Sequence, residues 1–125
     1  MTPTLRQRAI QALAAGLKAA KGMAVCDQKG YTAGLADNLV DGVTVEQFQH
    51  DFDGGAGQEL QTKMRAAHSS SALAVNCFGR WAPDPSSLQI GGQSGFDKLQ
   101  FEAKCPTGLI GRIPPHLDLV DGYRR

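Results

Sequence analysis

The chain has 125 residues, 42% hydrophobic and 20% charged, which is ordinary for a globular protein and long enough for one domain with its own core. A net charge of +1 supplies no global drive toward nucleic acid or a membrane surface. No apolar run approaches the roughly 20 residues of a membrane span, and the N-terminus lacks the continuous apolar stretch of a secretory signal, so a cytoplasmic protein is expected.

Charge is unevenly spread. Residues 1–26 carry Arg6, Arg8, Lys18 and Lys21 and no acid, whereas residues 41–59 carry Asp41, Glu46, Asp51, Asp53 and Glu59 and no Lys or Arg. Cys26, Cys77 and Cys105 are far apart and form no C-x-x-C pair. That spacing argues against a disulfide framework or a zinc site and predicts buried, reduced thiols.

Thr2-Pro3 predicts a helix start, with Thr2 as cap and Pro3 as first helical residue. Leu5, Ala9, Leu13, Leu17 and Ala20, with Ile10 and Ala14 beside them, recur at helical spacing, and Gly22 fits the stop. The stripe predicts packing onto the domain, with a basic outer face. A sharper reading lays Arg6, Arg8, Lys18 and Lys21 along a phosphate backbone.

Lys29-Gly30 and Asp41-Gly42 are turn signals. Thr44 and Gln47 have the spacing of a capping box and predict a short helix ending before Gly54-Gly55. Glu59–Ala67 has helical composition, with Leu60, Met64 and Ala67 on one face and Glu59 and Lys63 as an i,i+4 pair. Ser69–Ser71 can cap a further segment, 72–78, that reads equally as helix or strand. Residues 82–87 read as a loop. Beyond it the pattern turns strand-like: Leu88 and Ile90 alternate, Gly91-Gly92 turns the chain, and Leu99, Phe101, Ala103 and Cys105 alternate on one face. Leu117, Leu119 and Val120 mark a last strand. Residues 96–105 and 116–120 are expected to be neighbours in one sheet.

Four groups of residues bear on chemistry. The Gly-rich stretch Asp53–Gly57 lacks the Lys-Ser/Thr of a phosphate loop and reads as a linker. Glu102-Ala103-Lys104 on a strand would send Glu102 and Lys104 to one face. An E-x-K pair is half of a metal-nuclease site, in which Glu holds a divalent cation and Lys orients the attacking water; a solvated mixed-charge face is the simpler reading. His116 and Asp118, two apart and opposite Leu117 and Leu119, could share a cation, or simply bond to a turn. Glu59 with His68 and Ser69–Ser71 lacks the G-x-S-x-G of a nucleophile elbow, which argues against a Ser hydrolase.

These stretches resemble a family when taken in order. Asp53-Gly-Gly-Ala-Gly-Gln-Glu59-Leu, then Ala67–Gly79, then Phe101–Gly111, then Pro114-Pro-His-Leu-Asp118-Leu-Val look like a restriction-endonuclease-like group of the PD-(D/E)XK nuclease superfamily, across roughly residues 50–121. The resemblance implies an α/β (α+β) fold, with N-terminal helices packed on a small mixed sheet. The whole chain would be a single domain, 1–125, comprising a helical part (1–45) and a partial nuclease-like core (46–125). It also implies Glu59 as the helix acid and Asp118 as the strand Asp of a catalytic metal site for Mg²⁺ or Mn²⁺, with Glu102, Lys104 and His116 as secondary candidates.

In that group the E-x-K strand follows the Asp. Glu102-Ala-Lys104 precedes Asp118, and the sequence ends at Arg125. The chain therefore reads as truncated before the E-x-K strand, with negligible nuclease activity alone. If the fold holds, the carboxylates of Glu59 and Asp118 should approach each other. Other classes stay open: a non-catalytic binding protein, such as a small phage-type inhibitor of a nucleic-acid-processing complex, or a DNA-binding module using the basic helix. The expected partners are DNA or such a complex, with an oligomer left open and no membrane.

Overall fold

Thr4, rather than Thr2, caps the first helix. Its hydroxyl accepts the Gln7 N–H at 3.2 Å while Gln7 Oε1 accepts the Thr4 N–H at 2.7 Å. This reciprocal box satisfies two end donors at once, which Thr2-Pro3 cannot do, so Pro3 falls ahead of the cap. Helix α1 (Leu5–Lys21) ends at Gly22, whose φ of 74° and N–H donation to Lys18 O make the expected left-handed stop. A computed structural model describes residues 2–22, 26–53, 59–104 and 116–122.

The expected packing of the α1 stripe onto the domain is only partial. The helix buries no residue: Ile10, Ala14 and Leu17 are half-buried, while Leu5 and Leu13 stay exposed. The apolar positions wrap around more of the helix than the body can cover, because Ala and Gly fill much of the circumference.

From Cys26 onward the chain folds as turns. Cys26 bridges to Thr32 and Tyr31 to Ala66, while Gly30, at φ 85°, accepts the Ala67 N–H at 2.8 Å. A 3₁₀ turn at Leu35–Asn38 is followed by another at Val45–Gln47, where Gln47 Oε1 accepts the Thr44 N–H at 3.2 Å. The short helix α2 (Gln49–Asp53) comes next, as expected.

The helix expected over Glu59–Ala67 is instead two 3₁₀ turns, Glu59–Gln61 and Lys63–Arg65. The side chain of Asn38 donates to Met64 O at 2.7 Å and Ala66 O at 2.9 Å, and the Arg65 carbonyl takes the Thr32 N–H at 2.8 Å. These carbonyls are drawn out of any i→i+4 ladder. Met64 is nonetheless fully buried and Leu60 packs on the core, so the expected apolar face survives.

Ser69 caps helix α3 (Ser70–Phe78) by accepting the Ala72 N–H at 3.1 Å, which settles that ambiguous segment as helix. Further 3₁₀ turns occupy Gly79–Trp81 and Pro85–Ser87, the latter inside the stretch read as loop. Ile90 bridges to Gln93 around Gly91-Gly92, the predicted turn.

Strands β1 (Lys98–Lys104) and β2 (His116–Gly122) pair antiparallel, Lys98 against Gly122 through Lys104 against His116. The expected neighbours are thus paired, and the mixture of helices with a small sheet is the expected α+β class. Leu99, Phe101 and Ala103 alternate into the core; Cys105 lies outside the described residues. There Phe101 stacks on Phe52 at 6.4 Å and meets Phe48 edge-on at 6.3 Å, with Met64, Val75 and Leu88 around them. Cys26 is half-buried and Cys77 exposed, so neither is the buried thiol expected of it. No described helix is long and apolar enough to cross a membrane.

Candidate functional site

The hairpin of β1 and β2 brings the candidate acids into relation. Phe101 pairs with Leu119 and Ala103 with Leu117, so Glu102 on β1 and Asp118 on β2 lie between the same two ladder pairs. Glu102 has φ 49°, the only left-handed backbone among non-glycine residues of the described set. Such a conformation costs on the order of 1–3 kcal/mol and persists only where neighbours enforce it. Here ladder pairs stand on both sides. The Ser71 hydroxyl of α3 also donates to Glu102 Oε1 at 3.0 Å.

That bond alters the alternation reading. Glu102 was expected to project outward beside Lys104, but its left-handed turn carries the carboxylate to the buried Ser71. Strand parity predicts side-chain direction only for extended backbone.

One acid near this site was missed. Asp51 of α2 accepts the Phe101 N–H at 2.9 Å, one residue from Glu102. Its carboxylate satisfies a donor that β1 turns away from β2, closing that part of the sheet edge. The acidic, cation-free stretch 41–59 was the available sequence signal.

Glu59 opens the 3₁₀ turn Glu59–Gln61, which packs on α2 and the Lys63–Arg65 turn, while β2 packs on β1 and α3. The side chains of Glu59, Lys104, His116 and Asp118 lie outside the described residues, and so does the expected approach of Glu59 to Asp118. Among the described residues, no three His, Cys, Asp or Glu side chains gather as a metal site. Residues 54–57 of the Gly-rich stretch also lie outside the described residues.

The remaining candidates have structural partners. Ser69 caps α3, Ser71 meets Glu102, and His68 lies edge-on to Tyr31 at 6.1 Å. Arg65 covers the same Tyr31 ring at 6.0 Å and donates to Thr32 O at 2.9 Å. Of the basic helix, Arg6, Arg8 and Lys18 are exposed, whereas Lys21 Nζ donates to Leu39 O at 2.9 Å and ties α1 to the body.

Two groups away from the hairpin have shifted acidity. The Tyr31 N–H holds the Asp27 carboxylate below its ordinary range, partial desolvation opposes it, and the Lys29 N–H adds to the lowering. Burial, then the neighbouring Asp27 charge, pushes the Cys26 thiol up.

No curated protein and no solved structure matches the chain. A family described as "Restriction Endonuclease associating with ARP" matches it over residues 14–124, which takes in the C-terminal half of α1, the core and both strands. The chain therefore belongs to that family, as a restriction-endonuclease-like, nuclease-derived domain.

Proposed function

We propose that this chain carries the metal-binding carboxylates of a PD-(D/E)XK-type DNA phosphodiesterase that works in association with a partner protein. The observation that carries this reading is the β1–β2 ladder, whose pairs Phe101–Leu119 and Ala103–Leu117 bracket Glu102 on one strand and Asp118 on the other, beside the packed helix α3. Family membership supports the nuclease origin, and the association with ARP that the family's description names is extended here to this chain.

The donor chemistry fits the expected ion. Asp118, Glu59 and Glu102 offer only carboxylate oxygens, which suit a hard divalent cation such as Mg²⁺ or Mn²⁺. Asp118 and Glu59 hold it in this reading, with Glu102 as the neighbouring acid and His116 two residues before Asp118 on the same strand. A bound cation supplies the charge that stabilises a developing phosphorane. Lys104, whose backbone pairs with His116, offsets phosphate charge at the end of the ladder. The Ser71 bond fixes Glu102, so that this acid is held before any ion arrives.

Thermal melts with Mg²⁺, Mn²⁺ or neither test the reading, with Asp118→Asn and Glu59→Gln beside wild type. A ligand that prefers the native state raises stability by about 2.7 kcal/mol at about 100 times its Kd. A rise in Tm for wild type that shrinks in both variants is expected. No rise in wild type, or an equal rise in all three, removes these residues from a metal site.

A further inference from the structure

We propose that the cleft beside Arg65 holds one unpaired deoxynucleotide, its phosphate on the guanidinium and its base between Leu35, Val45 and Leu60; this rests on the DNA phosphodiesterase reading above. The cleft has a volume of about 350 Å³. That is the small end of the range for ligand sites, roughly 300–1,000 Å³, and admits one small molecule rather than a duplex. Its apolar walls come from three turns: Leu35 of Leu35–Asn38, Val45 of Val45–Gln47 and Leu60 of Glu59–Gln61. All three residues are half-buried and pack on the core, so the walls are supported from behind. Gln49 and Gln61 are exposed on the same cleft, and Arg65 completes it.

Arg65 is held in place but incompletely satisfied. Its Nη1 donates to Thr32 O at 2.9 Å and to Ala33 O at 3.3 Å, and its guanidinium lies 6.0 Å from the centre of the Tyr31 ring. These contacts fix the plane of the group. Its Nε is buried and has no hydrogen-bond partner. Among the described residues no acid lines the cleft, so the charge of Arg65 is not offset there. A buried donor without an acceptor destabilises the native state until one reaches it. The Nε–Nη2 edge of a guanidinium matches two oxygens of one oxyanion, and an oxyanion that enters from the cleft onto Nη2 lies within reach of the Nε–H on the same edge.

The rest of the cleft selects what carries the oxyanion. A bare phosphate would leave the Leu35, Val45 and Leu60 walls in water, and the Arg65 charge repels an amine. The carboxamides of Gln49 and Gln61 each donate and accept, as the edge of a base does. A nucleoside phosphate combines an oxyanion, a flat body and a donor–acceptor edge in one molecule. A base inside a duplex is stacked and paired, so the base that enters is an unpaired one. Two elements of the cleft also carry the acids of the nuclease reading. Gln61 stands two residues after Glu59 on one turn, and Gln49 two residues before Asp51 on α2, whose carboxylate accepts the Phe101 N–H beside Glu102. A nucleotide in the cleft is therefore supported by the same elements as those acids.

Titration calorimetry of the full chain in EDTA tests the cleft apart from any metal. The ligands are deoxyadenosine 5′-monophosphate, deoxyadenosine, inorganic phosphate and glutamate. The nucleotide is expected to bind about tenfold or more tighter than each of the other three. The pair Gln49→Glu with Gln61→Glu, which sets acids in the cleft, is expected to weaken it about tenfold or more, while Gln11→Glu with Gln28→Glu, the same charge change elsewhere, leaves it unaltered. All four glutamines are exposed, and a Tm close to wild type verifies folding. Arg65→Lys keeps the charge, loses the fork and is expected to weaken the nucleotide. Should that variant misfold, Gly34→Val decides with the Gln pair: Gly34 borders the cleft in extended backbone and an added side chain meets no atom within 4 Å, so bulk enters without displacing the core. No nucleotide binding, or equal affinity in the cleft and control pairs, overturns the proposal. Phosphate or glutamate bound as tightly as the nucleotide assigns Arg65 to a bare oxyanion and overturns it too. A single-stranded oligonucleotide that displaces the nucleotide where its duplex does not supports the unpaired base, and a duplex that displaces it equally well overturns it. Nucleotide binding without any metal-dependent rise in Tm keeps the cleft and removes the metal carboxylates; the reverse pattern keeps the metal site and overturns the cleft.

Discussion

Asn38→Asp is the substitution that most directly tests how the turns beneath the core are held. Asn38 is buried, and its amide donates to Met64 O at 2.7 Å and Ala66 O at 2.9 Å. Its own carbonyl accepts Asn76 Nδ2 at 2.9 Å, and Asn76 Oδ1 accepts the Val40 N–H at 2.9 Å. One side chain thus pins the Leu35–Asn38 turn to the Lys63–Arg65 turn, with α3 bonded alongside. Asp has the same shape and no donor. Two bonds are lost, each worth about 0.5–1.5 kcal/mol net, and both carbonyls are left facing an anion, at about 1–3 kcal/mol for Met64 O and less for Ala66 O, which keeps the Ser69 N–H at 3.0 Å. A loss of about 3–5 kcal/mol follows when these are taken as partly overlapping. For a domain of this size that is a drop of roughly 10–20 °C in Tm. Far-UV circular dichroism melts near neutral pH measure it. The deficit should narrow in acid, because a protonated Asp regains one donor. A fall of less than about 3 °C, or an Asn38→Ala variant clearly worse than Asn38→Asp, would refute the donor argument.

Phe101→Ala removes a fully buried ring stacked on Phe52 and edge-on to Phe48 and should lower the unfolding free energy by about 3–5 kcal/mol in urea titration; a loss under about 1.5 kcal/mol would mean the three rings are not the centre of the core. Asp51→Ala should lose about 1.5–3 kcal/mol and speed hydrogen exchange at the Phe101 amide, which the Asp51 carboxylate accepts at 2.9 Å; unchanged exchange there would contradict the bond. Asp27 is held below its ordinary range mainly by the Tyr31 N–H, so its contribution is present above the unfolded-state value and lost as pH falls through the lower folded one. Melts of wild type and Asp27→Asn from about pH 7 to about pH 2.5 should therefore converge at the acid end, and a gap that widens in acid would reverse the sign.

Several ends set by local chemistry were legible in the sequence, although the start of α1 falls at Thr4 rather than Thr2. Gly22 stops α1, Ser69 starts α3, and Gly91-Gly92 turns the chain, because each acts on backbone groups within four residues. Elements set by distant partners were not. Glu59–Ala67 has a helical face, and Met64 still uses it, but Asn38 and Thr32 take its carbonyls from 28 and 33 residues away in the case of Ala66 and Arg65. The α1 stripe is only partly packed for another reason. Periodicity reports that a face is apolar and says nothing about whether the body is large enough to cover it. The half-buried Ile10–Leu17 side and the exposed Leu5–Leu13 side are the same pattern divided by geometry.

The candidate site divides in a similar way. The E-x-K and P-P-x-x-D segments could be picked out as short patterns, and their strand spacing predicted that they would be neighbours. Pairing then does what neither segment does alone. With Phe101 on Leu119 and Ala103 on Leu117, the acid that comes first in the chain and the acid that comes later lie between the same two ladder pairs. Chain order alone made Glu102 a secondary candidate; the antiparallel ladder brings its strand beside that of Asp118. What the pattern could not supply is the direction of the side chain. An extended Glu102 would turn its carboxylate away from the core beside Phe101 and Ala103, and its φ of 49° turns it instead to Ser71 on α3. A left-handed glutamate in a strand has no local cause in Ala103 or Phe101. It is held by contacts 31 residues apart in sequence, and such contacts are visible only once α3 is packed on β1.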